Sequence, residues 1–125
     1  MVLRNCGLIK DVFRLFYRLL LSWGSQGSGK GQFKVPWGVA VNSSAGSVYV
    51  TDVDNFRVQK FDESGNFILA WGSQGSGNGQ FLEPYCVAVD SSWNVYVVDQ
   101  GNNRVDKFSE LRIVRIPFPW IPFSV

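Results

Sequence analysis

Apolar and polar residues alternate with a period of two in short stretches along the middle of this 125-residue chain, and clusters of Gly, Ser, Asn and Asp separate them. A period of two puts successive side chains on opposite faces of an extended backbone, so the pattern predicts strands. The first group comprises Trp37–Asn42, Ser47–Thr51, Phe56–Phe61 and Phe67–Gly72. Tyr85–Asp90, Asn94–Val98 and Asn103–Phe108 come next in the same order. Turns are expected at Ser43–Gly46, Asp52–Asn55, Asp62–Asn66 and Ser91–Trp93, where short polar side chains and glycines suit chain reversal. The start of the chain departs from this. There, Asp11-Val-Phe-Arg-Leu-Phe-Tyr-Arg has helical spacing, with Asp11 as the N-cap of a short amphipathic helix.

The two groups are copies of one unit. Trp23-Gly-Ser-Gln-Gly-Ser-Gly29 recurs as Trp71-Gly-Ser-Gln-Gly-Ser-Gly77, an offset of 48 residues that also relates Phe33 to Phe81, Pro36 to Pro84 and Val39-Ala-Val41 to Val87-Ala-Val89. One residue is lost between Ser44 and Val48, in a turn that tolerates length changes. At the new offset of 47, Val48-Tyr-Val50 matches Val95-Tyr-Val97, Asp52 matches Asp99, Asn55 matches Asn102 and Arg57 matches Arg104. Four strands in roughly 40 to 50 residues is the spacing of a propeller blade. Leu19-Leu-Leu-Ser-Trp23 aligns with Phe67-Ile-Leu-Ala-Trp71 and reads as the outer strand of a preceding blade.

The order F-x-x-P-x-G-V-A-V, V-Y-V-x-D, N-x-R-V-x-K-F and W-G-S resembles the NHL repeat. Phe33, Pro36, Gly38, Val39, Val41, Tyr49, Asp52, Asn55, Arg57 and Phe61 carry it in the first copy. Phe81, Pro84, Val87, Val89, Tyr96, Asp99, Asn102, Arg104 and Phe108 carry it in the second, where Cys86 replaces the glycine. The resemblance implies an all-β fold of two four-stranded antiparallel blades, a partial propeller, with the short helix before it. The organisation expected is a flank over 1–22, repeats over 23–70 and 71–108, and a Pro- and aromatic-rich tail over 109–125.

Strand alternation places the loops. Ser25–Gln32, Asp52–Asn55, Ser73–Gln80 and Asp99–Asn102 are expected on one rim, with Ser43–Gly46, Asp62–Asn66 and Ser91–Trp93 on the other. The resemblance points to the first rim as a binding face, with Lys30, Gln32, Asp54, Asn78, Gln80 and Gln100 as candidate contacts. Asp52, Asn55 and Arg57, and likewise Asp99, Asn102 and Arg104, read as structural residues that satisfy turn amides and pair across the turn. A cation site from Asp52, Asp54, Asn55 and Asp99 is disfavoured, because the ligand and glycine spacing of a calcium loop is missing.

Gly24-Ser-Gln-Gly-Ser-Gly29-Lys30-Gly31 nearly spells a phosphate-binding loop, but Gly31 lacks the hydroxyl that would hold Mg²⁺, and the second copy has Asn78 in place of the lysine. The next residues, Gln-Phe-Lys-Val-Pro36, cannot open the helix that would receive a phosphate. The chain has no histidine, which removes the commonest general base and zinc ligand. The peptidyl-hydroxyglycine lyase that resembles this family relies on histidine-bound zinc. No catalysis, cofactor or metal is therefore expected.

Charge decides between partner classes. From Trp23 to Phe108 six basic residues face eight acidic ones, a net of −2, whereas the flanks carry +4. Some tripartite-motif proteins read single-stranded RNA on a basic NHL face, and the negative repeat region argues against that here. A protein partner, or further NHL blades, is expected instead. Three copies could close a ring of about six blades, a homo-oligomer that would bury the apolar faces of two lone blades.

Cys6 and Cys86 form no CxxC pair and read as free thiols, Cys86 as a buried one. Charges at Lys10, Asp11, Arg14 and Arg18 interrupt every apolar run near the start, so neither a secretory signal nor a membrane span is expected. Three prolines between Pro117 and Pro122 cannot sit inside a ladder, although Leu111–Ile116 could supply a strand in altered register. The ends read as those of a truncated or frameshifted array, with a docking tail as the alternative.

Overall fold

Alternation of Val, Tyr and Phe with polar residues builds seven strands in the computed structural model, which describes residues 15–110. β1 (Pro36–Asn42), β2 (Ser47–Asp52), β3 (Arg57–Asp62) and β4 (Phe67–Trp71) form one antiparallel sheet in that order, blade 1. β5 (Pro84–Val89), β6 (Asn94–Asp99) and β7 (Arg104–Ser109) form the second, blade 2. Blade 2 thus has three strands among the described residues, one fewer than the four expected. The segment after Glu110, including Leu111–Ile116, lies outside the described residues, as does Asp11 with the start of the expected helix.

Strand limits differ from the sequence pattern by a residue. Phe56 and Asn103 sit at φ of 53° and 51°, left-handed values that close the turns, so β3 and β7 begin one residue later than expected. Residues 15–25 form neither helix nor ladder. The segment Leu19–Trp23 lacks the neighbouring strand that β4 finds in β3, and Leu19 and Leu20 are exposed. No helix of the described residues is long and apolar enough to cross a membrane.

The blades stack face to face. Tyr49 and Val58 of blade 1 bury against Phe81, Val95 and Val97, with Trp71, Val87, Val89 and Phe108 closing the edges. Trp71 is the middle of an aromatic series, its ring 6.3 Å from Tyr49 and 5.5 Å from Phe108. A polar clasp crosses this interface, besides the ion pair of Lys60 on β3 with Glu110 just after β7. Thr51 Oγ1 accepts the Gly38 N–H at 2.8 Å and donates to the Tyr85 carbonyl at 2.7 Å. A Cβ on Gly38 would run into that same carbonyl, so the backbones approach this closely only because position 38 is glycine.

Among the described residues the two outer faces are covered only in part: on blade 1, Trp23 and Phe33 pack on the buried Phe61, but the edge beyond is open. Val39 and Val41 are 64% and 58% exposed, while their repeat partners Val87 and Val89 pack on blade 1. Cys86 is exposed and not buried as expected, because it pairs with Val98 on the face of blade 2 turned away from blade 1.

Two turns share one construction at different places in the repeat. Asp62 Oδ1 accepts the Ser64 and Asn66 amides, each at 2.9 Å, and Oδ2 accepts Asn66 Nδ2 at 3.0 Å. Asp90 does the same for Ser92 and Asn94, and Tyr96 Oη adds a bond at 3.1 Å. The Asn66 amide and side chain hold the Asp62 carboxyl below the usual carboxylate range. The Asn94 side chain and amide do so for Asp90.

Gly38→Ala is expected to cost about 1–3 kcal/mol in urea unfolding, because the added methyl meets backbone and cannot be relieved by rotating a side chain. The turn carboxylates have folded pKa values below their unfolded ones. Their contribution is therefore complete above about pH 4 and is lost as pH falls through the lowered folded values. In D62N/D90N an amide keeps one acceptor but cannot titrate. Its urea midpoint should fall less steeply than wild type between about pH 5 and about pH 2.

Candidate functional site

The β2–β3 connection places a carboxylate where the glycine-rich loop passes. Val53–Asn55 makes a single 3-10 turn that Phe56 ends, so the Asn55 side chain folds back onto Asp52. Asp52 is fully buried and well supplied with donors. Its Oδ1 accepts the Lys34 amide at 3.0 Å; its Oδ2 accepts Asn55 Nδ2 at 2.7 Å, Arg57 Nε at 3.0 Å and Gln59 Nε2 at 3.4 Å.

Those donors hold the loop as well. Arg57 donates to the carbonyls of Ser28, Gly29 and Gln32 at 2.8–3.0 Å, and Asn55 donates to Gly27 at 3.0 Å. The loop crosses itself, with Gly27 N bonded to Phe33 O at 3.0 Å and Phe33 N to Ser25 O at 2.8 Å. Two of its glycine amides meet side chains: Gly29 N donates to Gln32 Oε1 and Gly31 N to Gln59 Oε1, both at 3.0 Å. A phosphate would need these N–H groups, and side-chain oxygens already occupy them.

The second copy repeats the arrangement with one exchange. Asp99 is buried and accepts the Leu82 and Glu83 amides; Asn102 bonds to it at 2.6 Å and to Gly75 O at 2.9 Å. Arg104 donates to the carbonyls of Ser76, Gly77 and Gln80 at 2.8–2.9 Å. Its Nε turns to Asp106, which stands where blade 1 has Gln59, at 3.1 Å and not to Asp99. A one-residue difference between the copies thus redirects an ion pair.

The candidate contacts divide into two groups. Lys30, Asp54, Asn78 and Gln100 are exposed, whereas Gln32 and Gln80 are half-buried and bond within their own loops. Each glycine-rich loop meets the β2–β3-type turn of its own copy. At the other end, Gly46 lies against Glu63, which brings the turns at 43–46 and 62–66 together. Lys30 leans away from the Asp52–Asn55 turn, its Nζ 5.8 Å from the centre of the Phe67 ring at the start of β4. Among the described residues no three His, Cys, Asp or Glu side chains stand close enough to hold a metal ion.

Sequence reasoning did not single out Gln59, Thr51 or Gly38 for these roles. The signal lay in the mismatches between copies, where blade 2 carries Asp106, Val98 and Cys86.

Residues 33–61, which hold this hub and the strands around it, match the family model for the NHL repeat. The match is to one NHL repeat, and it falls in the first of the two copies. It is 49% identical over 49 residues to Protein lin-41 of Caenorhabditis elegans, a stretch covering 39% of this chain and 4% of that protein. It is 48% identical over 48 residues to E3 ubiquitin-protein ligase TRIM71 of Rattus norvegicus, covering 38% of this chain and 6% of that protein. The matched stretch is therefore a small part of these relatives, 4% of one and 6% of the other. In each copy the Asp–Asn–Arg group ties the glycine-rich loop to its own sheet.

The two hubs differ in exposure, and so in what their loss costs. The Asp52–Arg57 pair has side chains 0% and 14% exposed, against 21% and 30% for Asp106–Arg104. Asp52→Ala leaves several donors unpaired and is expected to destabilise by about 3 kcal/mol, whereas Asp106→Ala should cost less than about 1 kcal/mol. Thermal and urea unfolding of the two variants side by side measures the difference.

Proposed function

We propose that this chain is a non-catalytic protein-interaction module whose contact surface is the glycine-rich loop rim of its two NHL repeats. One observation carries the reading. In both copies the rim arginine donates to three loop carbonyls and a loop glutamine accepts a loop amide, while Lys30, Asp54, Asn78 and Gln100 stand exposed on the loops so held. A surface ordered before contact loses less entropy on binding.

The same observation weighs against RNA as the ligand. Arg57 and Arg104 spend their guanidinium donors on loop carbonyls, and Lys60 is buried with its Nζ on Glu110 at 2.8 Å. The exposed charges of the rim segments are Lys30 and Asp54, with Lys34 just beyond them, among neutral amides and hydroxyls, not the basic track that phosphates require. The name ubiquitin ligase describes a relative of which the match spans 6%, so ligase activity forms no part of this reading.

The test is capture of protein partners on the immobilised chain, compared with the variant K30A/D54A/N78A/Q100A. The proposal expects capture that survives ribonuclease and falls at least about tenfold in the variant, a loss of roughly 1.4 kcal/mol, while circular dichroism and Tm stay at wild-type values. No capture above background by the folded chain would overturn it. So would recovery that ribonuclease abolishes, which would establish the RNA reading.

A further inference from the structure

The outward face of blade 2 and the buried face of blade 1 are the same face of the same repeat, so they can be compared position by position. Blade 1 presents Gly38, Tyr49, Thr51 and Val58 to blade 2, and Tyr49, Thr51 and Val58 are buried there. Blade 2 carries Cys86, Tyr96, Val98 and Val105 at the matching positions, with Cys86, Val98 and Val105 exposed. Tyrosine and valine are kept. The two residues that change are the two that form the clasp on the Tyr85 carbonyl.

We propose that Gly38 and Thr51 are the specificity-determining pair for blade-on-blade stacking, and that Cys86 and Val98 bar a second copy of this chain from stacking on blade 2. Stacking joins the Thr51-type face of one blade to the Phe33-type face of the next. A homo-oligomeric ring must therefore lay blade 1 of one copy on blade 2 of another. In the geometry seen between blades 1 and 2, the carbonyl of Trp37, the repeat partner of Tyr85, would arrive at position 86.

That carbonyl meets two obstacles. A Cβ at the matching position of blade 1 collides with main chain, and Cys86 has both a Cβ and a sulfur there. The carbonyl also loses its donor, because Val98 has no hydroxyl where Thr51 supplies one at 2.7 Å. Burying an unpaired carbonyl opposes association in addition to the clash. An apolar face with valine, tyrosine and cysteine is thus open to solvent, yet closed to the one partner always present at equal concentration.

Light scattering and sedimentation velocity on the whole chain test this with C86G/V98T, which rebuilds the clasp. Wild type should keep a monomeric mass across the accessible concentration range. The double variant should self-associate at least about tenfold more tightly, toward a ring of three copies. A wild-type chain that already forms the three-copy ring would overturn the proposal. So would a folded double variant that stays monomeric, since the block would then lie elsewhere. A measurement independent of the variant's folding uses C6S, in which Cys86 is the sole thiol. The proposal requires a maleimide labelling rate unchanged by protein concentration, and concentration-dependent protection of Cys86 would overturn it.

Discussion

A twisted antiparallel sheet whose two faces are both apolar cannot rest in water; it must lay at least one of them on another sheet. Among the described residues that requirement is met chiefly by the contact between blade 1 and blade 2, and most of the buried apolar side chains belong to it. Tyr49 and Val58 come from one side, Val95, Val97 and Phe81 from the other, and Trp71 spans the edge. The contact is close because a glycine at 38 lets main chain meet main chain, and it has a fixed register because Thr51 bonds to one particular carbonyl. Apolar packing supplies the drive, and the hydroxyl supplies the alignment.

The rim loops rest on that packing through a second set of interactions. Asp52 and Asp99 lie at the ends of β2 and β6, strands whose alternate residues Tyr49, Thr51, Val95 and Val97 are in the interface, so the packing fixes where the two carboxylates stand. From there, asparagine and arginine reach out to the loop carbonyls. A buried carboxylate with several donors is costly to leave unpaired, which makes the loop conformation part of the fold and not an appendage to it. The exposed side chains on those loops then inherit the rigidity of the sheets.

Much of the fold is legible in the sequence because a repeat is read twice. Strand positions agree to within a residue, since the alternation recurs at a constant offset and the turns carry Asn, Asp and Gly. The departures come where one residue takes a left-handed φ, as at Phe56 and Asn103, or where a segment pairs with no strand among the described residues, as at Leu19–Trp23. At the candidate site, Asp52–Arg57 is legible as a pair. The turn of Arg104 toward Asp106 is not, because it depends on which side chain stands across the sheet at the position of Gln59. Gln32 and Gln80 look like contact residues because polar loop side chains are usually solvated, yet both reach back to a loop amide.

What the sequence determined by itself is local: where strands run, where they reverse, and which residues share a face. These depend on backbone sterics and on a side-chain period that does not change with neighbours. Which faces are buried was decided only by the tertiary structure. Val39-Ala-Val41 and Val87-Ala-Val89 are the same three residues in the same kind of strand. The first pair of valines faces solvent and the second packs on a neighbouring blade. Burial is a property of what lies opposite, and the alternation of a strand carries no record of that. Cys86 shows the same: its cysteine suggested a core position, and its place on the outermost face of blade 2 left it exposed.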